Sequence, residues 1–270
     1  LLDLPGNTIV YGGGNKGDYP IPLIYEDKNN TLLNYRKLTF KQKKILCSFV
    51  GNITCNNVRP DVRRILFYNY ANNPAFVMIN SGGWTNKINK DLQKVFMNVT
   101  ISSRFALAPR GYGRSSFRFY EIFELGTIPI YIWNDKNWLP FQDVIDYNKL
   151  CIVLHISKIK MLEYILRNIT EKKYNMMWDY YNKIKYLFSM KGMTQKIISS
   201  IGYSPSIRTK FSLCIPTMDR YDKFLSINLP KYINNELIDE IIICDENGND
   251  IEKIKQNIKN LDKCKLYINN

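Results

Sequence analysis

Residues Arg104 to Phe141 read RFALAPRGYGRSSFRFYEIFELGTIPIYIWNDKNWLPF, and the order of elements in this stretch decides the fold class. Phe105 to Ala108 is a short apolar run stopped by Pro109, as a buried strand entering a loop would be. Arg110-Gly111-Tyr112-Gly113-Arg114 supplies two glycines for a tight main-chain path. Ser115 or Ser116 is placed to cap a helix running to about Leu125, with Gly126 just past its end. Thr127 to Trp133 is β-branched and aromatic and predicts the next strand.

A helix that begins directly after a glycine turn presents unpaired N–H groups and about half a positive charge to whatever lies above it. That is an anion site. Arg110, Arg114 and Arg118 add three permanent charges around the same helix start. A diphosphate suits such a setting, through charge-assisted hydrogen bonds worth about 1.5–3 kcal/mol each. Glu121 follows Arg118 at i+3, on the same helix face, and a carboxylate beside a phosphate site suits the paired hydroxyls of a ribose. The same spacing also allows a plain helical ion pair, worth about 0.3–0.5 kcal/mol.

The whole string resembles the exostosin-type glycosyltransferases. Their pattern runs aromatic-x-L-x-P-x-G, S-x-R-x-x-E, G-x-I-P, a short acidic segment and L-P-F. Here those positions are Phe105, Leu107, Pro109 and Gly111; Ser116, Arg118 and Glu121; Gly126, Ile128 and Pro129; Asp135; and Leu139-Pro140-Phe141. The resemblance implies a Rossmann-like parallel sheet forming the C-terminal, donor-binding lobe of a GT-B fold. It also implies transfer of a sugar, with inversion, from a nucleotide diphosphate donor (a UDP-sugar) to a saccharide or glycoprotein acceptor. No metal cofactor is implied for this domain, because arginine charges take that role. The resemblance selects Gly111, Ser116, Arg118 and Glu121 as donor-binding residues, the chemistry of the turn adds Arg110, Gly113 and Arg114, and no catalytic base can be assigned.

The 270 residues exceed a usual single domain, and 45% hydrophobic with 13% aromatic content provides a real core. No apolar run reaches the ~18 residues of a membrane span, and the first residues, LLDLPGNTIVYGGG, lack the pattern of a signal peptide. The net charge of +14 suggests nucleic acid first, but the lysines are scattered from Lys37 to Lys265 and accompany abundant Asn and Ile, so no nucleic-acid partner is expected. The six cysteines form no C-x-x-C pair and accompany one histidine, which excludes familiar zinc sites. Cys151, Cys214 and Cys244 read as buried hydrophobes, and Cys47 could pair with Cys55 in an oxidising compartment. Sequons at Asn29, Asn52, Asn98 and Asn168 arise readily in an asparagine-rich chain. The compartment stays open: Golgi or secretory if the family's usual setting applies, otherwise cytoplasmic.

Upstream, Lys44 to Val50 predicts a strand ended by Gly51, where main chain must approach a ligand closely. Arg59-Pro60-Asp61 then opens a helix with proline in its first turn. This also resembles the family, and implies that Arg59 or Arg63 reaches the donor phosphates. Phe76 to Ile79 predicts a strand before a Gly82-Gly83-Trp84 loop, and Lys90 to Met97 a short helix. Downstream, Leu150 to Leu154 predicts a strand followed by His155, read as structural because no acid pairs with it. Two closing helices are expected across 158–198, on a methionine and aromatic stripe.

Residues 201–210, which include IGYSPSIR, read as a linker between domains 1–200 and 211–270. The second begins with FSLCIPT (Phe211 to Thr217), a helix from Tyr221 to Ile233, IDEIIICDENGND (Ile238 to Asp250), a helix near Ile251 to Ile258 and a strand from Lys265 to Ile268. The alternation predicts a second parallel α/β domain. It is similar to the opening of a family-2-like transferase of GT-A type. That resemblance implies nucleotide contacts from Thr217, Arg220 and Asp245, and manganese or magnesium as cofactor through a D-x-D motif beyond Asn270. The chain reads as a fragment lacking the acceptor lobe, incomplete for turnover. The alternatives are a non-catalytic nucleotide- or carbohydrate-binding module and a basic nucleic-acid binder.

Overall fold

The computed structural model describes residues 9–14, 17–24, 32, 35, 37–54, 60–82, 89–200 and 211–268. Tyr25, Cys55, Arg59, the Gly83-Trp84 loop and the 201–210 linker lie outside the described residues. The chain divides into two compact units, Leu1–Lys196 and Ile197–Asn270, so the division falls inside a helix, Met190–Ser200.

The first unit opens with two short parallel strands, β1 (Tyr11–Gly12) and β2 (Tyr19–Pro20). Its main sheet is built from β3 (Ile45–Gly51), β4 (Phe76–Asn80), β5 (Ser103–Pro109), β6 (Ile128–Trp133) and β7 (Ile152–His155). All pairings are parallel and the order is β4-β3-β5-β6-β7. That is a doubly wound sheet whose order reverses between β3 and β5, where such folds open a crevice at the carboxyl ends of the strands. Helices link the strands: α1 (Val62–Tyr70), α2 (Lys90–Ile101), α3 (Phe117–Glu124) and the short α4 (Tyr147–Leu150). Phe105, Ala108, Phe123, Leu125, Ile128, Ile130 and Ile132 are completely buried. Sealing on both faces is why β5 and β6 read as nearly unbroken apolar runs.

The central helix has the predicted bounds: Ser116 is its N-cap and Gly126, at φ 78°, follows its C-cap Leu125. Elsewhere local chemistry shifts the edges. Asp61, not Pro60, caps α1, because its carboxylate accepts the Arg64 N–H at 3.2 Å; Pro60 therefore stays outside the helix. α2 runs a turn beyond Met97, to Ile101. Leu150 belongs to α4, so β7 starts two residues later than expected. The closing region is more broken than two helices. A 3-10 turn (Ile156–Met161) leads into α5 (Leu162–Arg167), α6 (Glu171–Ile184), another 3-10 turn (Lys185–Phe188) and α7 (Met190–Ser200). Thr170 starts α6 by accepting from Lys173 N, which imposes one of these breaks.

The second unit is a parallel sheet, β10-β9-β8, from β8 (Phe211–Thr217), β9 (Ile238–Asp245) and β10 (Cys264–Ile268). A π turn (Tyr221–Leu225) precedes α8 (Ser226–Ile233), and α9 is Asn249–Asn257. Leu225, Leu229 and Ile254 pack on Ile241 and Ile243. Cys214 and Cys244 sit at the alternate positions, which corrects the expectation that they are buried: Cys214 is exposed and Cys244 half-buried. Cys47 is a buried free thiol in β3, and burial raises it well above its ordinary pKa.

At the amino ends of the strands Lys43 is buried, and its ammonium donates to Ile101 O at 2.7 Å and Thr127 Oγ1 at 2.8 Å. Desolvation lowers its pKa from 10.5 to about 7. The unfolded chain therefore binds one more proton than the folded one between these values, and stability rises with pH across that window. Relative to Lys43→Met, the protein should gain about 2 kcal/mol of unfolding free energy from pH 7 to pH 9 by urea denaturation. An equal pH slope in both proteins would contradict the assignment.

Candidate nucleotide-binding edge

At the carboxyl edge of the sheet, β3 delivers Gly51 and Asn52, β5 delivers Arg110, and β6 delivers Asn134 and Asp135. Arg63, from the first turn of α1, crosses the point where strand order reverses. Its Nε donates to Arg110 O at 3.0 Å and its Nη1 to Asn52 O at 3.1 Å. One guanidinium thus spans the ends of β3 and β5, in the crevice that the topology opens. Of the two arginines expected to reach donor phosphates, Arg63 is the one the structure brings to this edge; Arg59 lies outside the described residues.

The two glycines of the turn are required for separate reasons. A Cβ on Gly111 would stand 2.8 Å from Arg63 Nη2, and one on Gly113 would stand 3.3 Å from the main chain of Gly14. Gly14 also accepts the Arg114 N–H at 3.1 Å, and Trp138 Nε1 donates to Gly12 O at 3.1 Å. The N-terminal glycine run therefore lies against the turn, a neighbour that the spacing of Gly111 and Gly113 alone did not reveal. Gly51 packs against its own strand, with the Phe49 ring 3.1 Å from where its Cβ would be.

The three turn arginines do not form one ring of bare charge. Arg110 is buried and donates through Nη1 to Asn134 Oδ1 at 2.9 Å and Asp135 Oδ1 at 2.7 Å. Arg114 Nε takes the other Asp135 oxygen at 2.9 Å. Burial pushes the Asp135 carboxyl up, but the Lys136 N–H and the two guanidiniums outweigh it and hold it below its ordinary value. One carboxylate thus offsets part of the expected positive charge. Arg118 stands in the first turn of α3, its Nη1 2.7 Å from Glu121 Oε2 and its guanidinium 3.7 Å over the Phe96 ring. The i+3 pair is therefore made, with the Glu121 side chain 14% exposed and that of Arg118 37%. Ser116 gives α3 no side-chain cap, which leaves the helix start to other partners.

Tyr131 completes the edge: its hydroxyl donates to Arg114 O at 3.2 Å and accepts the Trp138 N–H at 3.0 Å. Desolvation pushes this phenol up to about 12. His155 is engaged on both nitrogens, by Ser157 Oγ at 2.7 Å and Asn134 O at 3.1 Å, and its ring packs on Trp133. It is a tether between strand ends rather than a poised base.

In the second unit two of the three expected nucleotide contacts, Asp245 and Thr217, are drawn into the fold, while Arg220 is exposed. Asp245 is fully buried, and its Oδ2 accepts from Asp250 N at 2.8 Å and Ile251 N at 3.1 Å, so it serves the start of α9. The cause is the Asn247-Gly248 turn, with Gly248 at φ 80°, which begins α9 four residues after the strand ends. Thr217 donates its hydroxyl to Asp250, which also accepts the Arg220 N–H at 2.9 Å and the Tyr221 N–H at 2.8 Å.

A parallel, doubly wound sheet with glycine, arginine and helix start at its carboxyl edge is a Rossmann-like arrangement and fits a glycosyltransferase fold. The family profile described as Exostosin GT47 domain matches residues 7–169, more than half of the chain. The chain belongs to the exostosin GT47 family. It is similar to the Arabidopsis thaliana protein named "Probable glycosyltransferase At3g07620", 31% identical over 90 residues, covering 33% of this chain and 19% of that protein. It is similar to an Exostosin-1 homolog of Caenorhabditis elegans, 30% identical over 129 residues, with 42% and 32% covered. It is also similar to Exostosin-1 of Bos taurus, 23% identical over 249 residues, with 81% and 32% covered. The chain spans 19% to 32% of the length of these relatives.

Because a methyl group at residue 111 would displace the Arg63 guanidinium, Gly111→Ala should lose the bridge between β3 and β5 while keeping the sheet. The expected result is an unchanged far-ultraviolet circular dichroism spectrum, with the Arg63 Nε–H resonance shifted in nuclear magnetic resonance. An Arg63 signal identical in the two proteins would refute the contact.

Proposed function

We propose that the first unit binds the nucleotide diphosphate portion of an activated sugar at the carboxyl edge of β3 and β5, as the C-terminal lobe of a GT-B transferase. The observation that carries this reading is the Arg63 bridge at the strand-order reversal. Two carbonyls, of Arg110 and Asn52, hold its guanidinium at that crevice. The diphosphate would meet Arg63 and the uncapped start of α3, with Arg118 beside it and Glu121 facing the ribose. Arg110 and Arg114, paired through Asp135, would hold the shape of the turn.

The reaction is transfer of a glycosyl group from a UDP-sugar to a saccharide or glycoprotein acceptor, with inversion at the anomeric carbon. Arginine and main-chain N–H groups would stabilise the charge that grows on the leaving diphosphate. The general base is not among the residues assigned here. The second unit, in this reading, opens a GT-A-type domain, with Arg220 the nucleotide contact least absorbed by the fold. Support comes from the Bos taurus relative, whose match covers 81% of this chain and so extends past Lys196. The manganese or magnesium of such a domain finds no site here: among the described residues no three of His, Cys, Asp and Glu gather as a metal would need, and no step is derived through it.

Arg63→Ala and Arg118→Ala should each weaken UDP binding by about 2 kcal/mol, near thirtyfold, in calorimetry, with melting temperatures close to the parent's. UDP affinity equal in all three proteins would overturn the site. Tight binding to duplex DNA with a steep salt dependence would favour the nucleic-acid reading instead.

A further inference from the structure

The stretch between β6 and α4, with Val153 of β7 and Tyr180 of α6, lines a cleft of about 460 Å³, within the size range of small-molecule sites. None of its residues belongs to the nucleotide edge. Asn137 lines it, and the Asn137 Oδ1 is buried with no hydrogen-bond partner. Buried polar atoms are nearly always paired, so an orphaned acceptor in a cleft wall points to a ligand that donates to it.

The other polar groups specify that ligand. Gln142 donates its Nε2–H to Leu139 O at 2.9 Å and keeps its amide oxygen as an acceptor. Asp143 and Asp146 contribute carboxylates whose charges are offset by Lys196 at 2.5 Å and Lys149 at 3.1 Å. The Tyr180 hydroxyl accepts the Asp146 N–H at 2.8 Å, so its own proton is directed to another acceptor. The cleft thus offers both acceptors and donors, the donors being the Tyr180 hydroxyl and the side-chain amides of Asn137, Gln142 and Asn148, and its carboxylates are paired with lysines. A phosphate, sulfate or uronate would meet two carboxylates. A neutral polyol gives and takes at every hydroxyl, and can lay its C–H surface on Val144 and Val153.

We propose that this cleft binds a neutral saccharide. As a resting place for the acceptor chain it depends on the transferase reading; as a saccharide site it stands on its own residues. The test is saturation-transfer difference nuclear magnetic resonance on the full chain with cellotriose, xylotriose, chitotriose and a sulfated chondroitin tetrasaccharide. The parent, Asn137→Ala, Asp143→Leu and Arg63→Ala are compared. Saturation of at least one neutral trisaccharide is expected, weakened fivefold or more by Asn137→Ala and retained in Arg63→Ala. Asp143→Leu changes an exposed side chain and should weaken binding threefold, and it decides the matter if Asn137→Ala does not fold. No saturation of any neutral probe, saturation equal in parent and both cleft variants, or preference for the sulfated probe would overturn the proposal. Loss of the signal in Arg63→Ala would place the sugar at the nucleotide edge and overturn it as well. Normal UDP affinity in Arg63→Ala with saccharide binding intact would sink only the nucleotide reading.

Discussion

One guanidinium joins the two halves of the sheet's carboxyl edge. Where strand order reverses in a doubly wound sheet, the chains leaving β3 and β5 go to opposite sides, and a side chain that reaches both ends links them across the crevice. Arg63 does so with two hydrogen bonds to main-chain oxygens, 3.0 and 3.1 Å long. Lysine would not reproduce this geometry, because the two bonds leave from separate nitrogens, Nε and Nη1, of one planar fork, whereas an ammonium donates from a single nitrogen. The requirement for glycine at 111 follows directly, since the space a side chain would need holds the guanidinium.

The remaining charge is arranged around that bridge. Arg110 is buried and needs Asn134 and Asp135 to satisfy it, and Asp135 in turn fixes Arg114. The glycine run near the N-terminus closes over the turn through Gly14, and Trp138 anchors Gly12. These hydrogen bonds, Arg114 to Gly14 and Trp138 to Gly12, join residues 100 and 126 positions apart in the sequence and hold the turn against the N-terminal segment. Preorganised dipoles and charges are what a leaving diphosphate requires, since they cost no rearrangement when charge develops. At the opposite edge Lys43, its pKa lowered by burial, performs a structural task, tying Ile101 to Thr127.

Much of this was legible in the sequence wherever local chemistry decided the outcome. Ser116 and Gly126 bracket α3 at the expected positions, although Ser116 makes no side-chain cap, and β8 runs from Phe211 to Thr217 as its alternation with turn residues indicates. The site was legible only as a set of residues. Periodicity could not say that Asp135 would couple Arg110 to Arg114, because that contact joins the ends of different strands. Nor could it say that Asp245, placed correctly at a strand end, would turn onto the amides of α9 rather than outward. Cys214 and Cys244 looked buried because their runs are apolar, yet the helices of that unit pack on the alternate residues. In each case the deciding contact is one that hydrophobic periodicity does not encode.

The most direct measurement is a crystal structure of the chain with UDP bound. The diphosphate oxygens should lie within hydrogen-bonding distance of the Arg63 guanidinium and of the first main-chain N–H groups of α3. A nucleotide seated elsewhere, with Arg63 still closed onto Asn52 and Arg110 and no phosphate near it, would contradict the claim that this bridge exists to receive the leaving group of an activated sugar.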